Sequence, residues 1–173
     1  MSDTPSFNIT SNIDTPARAL DDSDNVLNKL KTLVQKRVER PIVLVEIPER
    51  PGLSLRISPN ITQNQLRTWR KNAGEDTKAG MDTVRFACQV IAHTTTGFIL
   101  NGEVVKDNEG YECTFGSAEI MEMTGTTRPH PDAVKAIFGI EPHIEAAAVA
   151  IMEAAGYGDQ VDAVDPTMTP SEN

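Results

Sequence analysis

Residues 42–74, IVLVEIPERPGLSLRISPNITQNQLRTWRKNAG, change their hydrophobic period part-way, and that change decides the fold class. "IVLVEI" (42–47) is a β-branched run suited to a strand. "PERPG" (48–52) is turn chemistry, because proline fixes φ and glycine permits positive φ. "LSLRIS" (53–58) then alternates with period two and puts Leu53, Leu55 and Ile57 on one face. A β-hairpin follows from these three pieces. From Thr62 the period becomes helical: Leu66, Trp69 and Ala73 share a stripe. Thr62 and Gln65 have the spacing of a capping box, and Gly74 ends the run. A hairpin running into a capped helix reads as α+β.

Upstream, Asn25 to Arg40 predicts an amphipathic basic helix capped by Ser23 or Asp24. Val26, Leu27, Leu30, Leu33, Val34 and Val38 fall on one face, Lys29, Lys31, Lys36, Arg37 and Arg40 on the rest, and Pro41 stops it. No aromatic residue anchors the apolar face, which favours packing on its own domain or on a partner over a membrane surface. Downstream, "MDTVRFACQVIAHTTTG" (81–97) predicts the central packed helix. Met81, Val84, Cys88 and Ile91 form its seam, and His93 stands near its C-terminus as a cation for the helix dipole. Asn101-Gly102 and the run 107–110 are turn signals, so strands are expected at about 103–106 and 111–115, with Tyr111, Cys113 and Phe115 alternating. Ser117 caps a short helix closed by Gly125. A helix from Pro131 to Phe138 ends at Gly139, and Pro142 opens a last helix that ends at Gly156. The expected fold is α+β and mainly helical, with two hairpins in a small antiparallel sheet and flexible acidic termini.

Charge and composition set the outer limits. Hydrophobic residues make up 39% of the 173-residue chain, a little under the globular norm, so part of it lies outside any core. Residues 1–25 hold five acids against the single base Arg18, and Asp159, Asp162, Asp165 and Glu172 follow Gly158 with no base. Both ends therefore read as disordered tails, 1–23 and 158–173, around one domain over 24–157. A net charge of −9 argues against a nucleic-acid partner. The start has neither a basic n-region nor an apolar h-region, no window reaches a membrane span, and the expected location is the cytosol.

Catalytic devices are not recognisable. Cys88 and Cys113 lack metal spacing and read as free thiols. His93, His130 and His143 match no zinc pattern, and Asp159, Asp162 and Asp165 lack the glycine and closing glutamate of a calcium loop. Glu119 and Glu122 read as surface carboxylates. No nucleophile elbow, phosphate loop or dinucleotide fingerprint occurs. The expectation is a non-enzyme without metal or cofactor. What stands out is the last helix, where Ile144, Ala147, Ala148, Ile151 and Ala155 share one face and Val149 and Met152 widen it. Its small residues admit another helix closely, and methionine adapts to varied shapes. Two readings stay open: a core helix of this domain, or a docking and self-association surface.

Three segments carry a resemblance: VEIPERPGLSLRISPNITQNQLRTWRKNAG (45–74), GEVVKDNEGYECTFGSAEIMEMTG (102–125) and DAVKAIFGIEPHIEAAAVAIMEAAGYG (132–158), followed by DPT (165–167). In order and texture, over about residues 40–167, the chain resembles the tail assembly chaperones of long-tailed, siphovirus-type bacteriophages, especially those of actinobacteria. The resemblance implies a partner, the long and apolar tape measure protein, kept soluble while major tail protein subunits polymerise around it. It implies a helper absent from the finished virion, acting in the host cytoplasm. It also implies two products related by a programmed ribosomal frameshift, of which this chain is expected to be the shorter and the longer a possible partner, homo-oligomers included. Met121, Met123, Ile144, Ala148, Ile151 and Met152 are the expected partner-binding residues. The alternatives are a structural head or tail accessory protein of the virion and an unrecognised small enzyme.

Overall fold

The computed structural model describes residues 25–127 and 131–158. The expected tails 1–23 and 158–173, apart from Gly158 itself, lie outside them, as does His130. The chain divides into two units, 1–39 and 40–173.

The first unit holds α1 (Val26–Gln35). Its cap is Asn25, not Ser23 or Asp24: Asn25 Oδ1 accepts from the Leu27 N–H at 2.9 Å. It ends at Gln35, short of the expected Arg40, and Lys36 is extended. The stretch past it carries β-branched Val38 among the like charges Lys36, Arg37 and Arg40. A ten-residue helix with no buried residue has little to prolong it.

The second unit contains β1 (Val43–Glu46), β2 (Leu53–Ile57), α2 (Gln63–Asn72), α3 (Thr83–Thr94), β3 (Thr95–Leu100), β4 (Glu103–Val104), α4 (Ala118–Thr124), α5 (Asp132–Phe138) and α6 (Glu141–Ala154). The first hairpin pairs Val43 with Ile57 and Glu46 with Ser54. The second hairpin differs from expectation. It joins β3 to β4 across Asn101-Gly102, while 103–106 and 111–115 meet only at an isolated Lys106–Glu112 bridge. Positive φ at both Asn101 (50°) and Gly102 (85°) gives the turn the twist that antiparallel strands need. β3 also pairs with β2, Leu55 opposite Phe98, so one antiparallel sheet runs β1-β2-β3-β4.

β3 takes residues 95–97, expected as the end of α3. Three threonines, Thr94 to Thr96, end the helix without a loop. Thr94 Oγ1 donates to Val90 O at 2.7 Å and Thr95 Oγ1 to Ile91 O at 2.6 Å, hydroxyl bonds back onto carbonyls of the preceding turn that weaken a helix as it ends. The extended backbone then suits β-branched side chains. At Gly97 a Cβ would lie 3.1 Å from Arg56 Nη2, and this close approach lets Arg56 reach Thr96 and pair with Glu112 across the sheet.

α2 forms as expected, with both halves of the Thr62–Gln65 capping box present. Leu66, Trp69 and Ala73 are buried. α3 is the central helix and buries Ala87 to Ala92, but Met81 lies before its first turn and outside the seam. One core cluster gathers Leu55, Ile57 and Phe98 from the sheet, Cys88 and Ile91 from α3, Val134 and Phe138 from α5, and Ile144 and Ile151 from α6. Cys113 and Phe115 join it, whereas Tyr111 stays exposed. Ser117 precedes α4 without capping it, because its Oγ accepts from the Thr114 N–H at 2.8 Å. Glycines in left-handed conformation end α4 and α5.

Candidate functional site

Among the described residues of the body, two of the open grooves are apolar. The larger, about 410 Å³, runs between α3 and α6. Phe86 and Ala87 form one wall, and Ala148, Val149 and Met152 the other. Glu145 and Glu153 are its charged members, and neither lysine nor arginine is among its lining residues. Thr83 Oγ1 donates to Glu145 Oε1 at 2.6 Å and ties the two helices together there. Tyr157 closes one end. Gly156, at φ 88°, turns the chain out of α6 so that the Tyr157 N–H reaches Met152 O at 3.0 Å. The Tyr157 hydroxyl donates to Ile61 O at 3.0 Å, and the Arg40 guanidinium lies 6.0 Å over its ring.

The smaller groove, about 360 Å³, opens between the sheet and helices α4 and α5. Leu53, Phe98 and Leu100 come from the strands, Ile120 and Met123 from α4, and Ile137 from α5. Arg50, in the β1–β2 turn, fixes its geometry: Nε donates to Ile137 O at 3.1 Å and Nη2 to Ala136 O at 3.4 Å. A cation on the last carbonyls of α5 also suits that helix's dipole. Met123 is 74% exposed at the rim, and Leu100, beside the Asn101-Gly102 turn, is 47% exposed.

The six residues expected to bind a partner separate in three directions. Ala148, 5% exposed, stands in the wall of the α3–α6 groove, whereas Ile144 and Ile151 face the core at 1% and 0% exposure. As partner contacts in this fold Ile144 and Ile151 are therefore corrected: α3 and α5 already cover that face of α6. Met152 is half-buried in the α3–α6 groove, and Met123 lines the sheet-side groove. Met121, two residues before Met123 and so on another side of α4, is half-buried outside both grooves. Leu53, Leu100, Ile120 and Ile137 were not singled out from sequence. Each belongs to an ordinary apolar pattern of its own element, and only the tertiary fold gathers them.

Burial pushes the Cys88 thiol up to about 12 and raises the Cys113 thiol as well, which disfavours thiolate chemistry in both. His93 differs from expectation. Its ring stacks on Trp69 with centroids 5.2 Å apart, its Nε2 lies 3.1 Å from Gln89 Oε1, and burial lowers its pKa. It therefore acts as a neutral ring packed on α2 more than as a cation for the dipole. Among the described residues no three His, Cys, Asp or Glu side chains gather in a metal-binding group. No helix among them is long and apolar enough to cross a membrane.

No known family model matches the chain, and no curated protein matches it. Among solved structures, the crystal structure of the protein YqbN aligns with 71% of this chain and 91% of that one, at 16% identity and a TM-score of 0.47. That likeness carries no inference about function.

Proposed function

We propose that this chain is a non-enzymatic tail assembly chaperone of a long-tailed bacteriophage. In this reading it holds apolar helical stretches of the tape measure protein in the host cytoplasm, keeps them soluble while major tail protein assembles around them, and leaves before the virion is complete. The observation that carries the reading is the sheet-side groove, an apolar trough with an exposed methionine at its rim. An apolar stripe on a long helix aggregates when bare. A trough lined by Leu53, Phe98, Leu100, Ile120, Met123 and Ile137 offers such a stripe a dry surface. Each Leu-sized side chain of the partner buried there contributes about 1.5–3 kcal/mol. Methionine adds tolerance of varied partner shapes, and the acidic net charge of −9 keeps the complex soluble.

Co-expression with the tape measure protein tests this directly. The soluble fraction of the tape measure protein is expected to rise several-fold with this chain present, and purified virions are expected to lack it. Unchanged solubility, or a stoichiometric presence in virions, overturns the reading; the second result favours a structural accessory protein.

A further inference from the structure

We propose that Arg50 makes the sheet-side groove selective for acidic apolar helices, a partner carboxylate beside the apolar stripe pairing with the free edge of its guanidinium. The inference deepens the chaperone reading and rests on it. Arg50 is the one charged residue among those lining this groove. The other polar lining residue, Thr124, spends its hydroxyl on Ile120 O at 2.7 Å. Arg50 itself is held at both backbone and side chain. Its N–H donates to Ile47 O at 3.0 Å and its carbonyl accepts from the Leu53 N–H at 2.9 Å, so the β1–β2 turn fixes its backbone. Nε and Nη2 tie its side chain to Ile137 O and Ala136 O of α5. Those bonds use one edge of the guanidinium fork. The other edge, Nη1 with the second hydrogen of Nη2, has no hydrogen-bond partner among the described residues, and none of their ion pairs involves Arg50. That edge matches a carboxylate bidentately and repels a lysine. Turn and side chain are already ordered, so little rotamer freedom is lost on pairing. The net charge of −9 repels acids in general, which makes any acidic preference a local effect of Arg50. The α3–α6 groove has the opposite sign, since its charges are Glu145 and Glu153. Apolar stripes bordered by acids therefore suit the sheet-side groove, and stripes bordered by lysines do not.

Fluorescence anisotropy of the full chain with three dye-labelled helical peptides tests this. All carry the same stripe of leucines at helical spacing and differ only in the residue one turn beyond each end of it: glutamate, glutamine or lysine. The measurement is made at an ionic strength of about 0.15 M, where charges beyond about 8 Å are largely screened. The glutamate peptide is expected to bind about fivefold more tightly than the glutamine peptide, and the lysine peptide most weakly. Arg50→Glu is expected to reverse that order, and Arg50→Lys to keep part of it. Loss of the α5 contacts alone would weaken all three peptides alike. Equal affinities in the wild type, tightest binding of the lysine peptide, or no binding of any peptide overturns the inference. The wild-type chain supplies that comparison by itself, so a variant that folds poorly does not blunt it. If co-expression raises the solubility of the tape measure protein while the peptides show no order, the inference falls and the chaperone reading stands. An ordered series without that rise fails the chaperone reading alone.

Discussion

Helices α1 and α6 are both apolar along one side, and the fold treats them in opposite ways. α1 has the cleaner two-faced pattern, with lysines beside its leucines and valines, yet buries nothing. α6 is apolar over much of its circumference and gives Ile144, Ala147, Ala148 and Ile151 to the core. The difference teaches that the strength of a stripe does not say whether its own chain covers it. Covering needs facing elements. α6 follows α5 after a two-residue connection and packs along α3. The sharp amphipathicity of α1 reports a surface suited to packing.

The contrast is most exposed to mutation in the core. Ile151→Ala is expected to lower the unfolding free energy by about 3 kcal/mol, a cavity on a fully buried face. Leu30→Ala is expected to stay within about 0.5 kcal/mol. Urea denaturation decides, and equal losses would put α1 in the same core as α6. A smaller effect comes from local chemistry at α2: Thr62→Ala removes half of the capping box and is expected to cost about 1 kcal/mol.

Two pH effects follow. The Cys88 thiol holds its proton to about 12 in the folded chain, whereas the unfolded thiol releases it near 9.0. Stability is thus whole below pH 9.0 and falls as pH rises from there toward 12; Cys88→Ala is expected to flatten that slope. His93 runs the other way. Its lowered pKa makes the folded chain resist a proton that the unfolded imidazole accepts near 6.5, so stability is whole above 6.5 and declines as pH falls below it. His93→Phe, keeping the ring on Trp69, is expected to remove that decline in acid melting curves. Smallest of all, Met123→Glu at the groove rim is expected to shift stability by less than about 0.5 kcal/mol. A large loss there would make Met123 a core residue rather than a rim.

Much of the fold was legible because its signals are local. The Thr62–Gln65 box, the period-two face of Leu53, Leu55 and Ile57, the Asn101-Gly102 turn and the glycines after α4 and α5 each act within a few residues. The exit from α3 was not legible. Three threonines serve equally as a last helical turn or a first strand, and only pairing with β2 selects the strand. The site was less legible still. Met123 and Met152 were found as methionines beside apolar runs, but the grooves they line are made by elements far apart in sequence. Ile144 and Ile151 looked the same whether turned to a partner or to α3.

The central claim is that a partner helix meets this protein at the sheet-side groove and not along the core face of α6. The most direct measurement places a photo-crosslinking side chain at position 123, and separately at the exposed position 111 as a control, in cells that also make the tape measure protein. The account predicts a strong covalent adduct to the tape measure protein from position 123 and little from 111. No adduct from 123, or equal adducts from both, would contradict it.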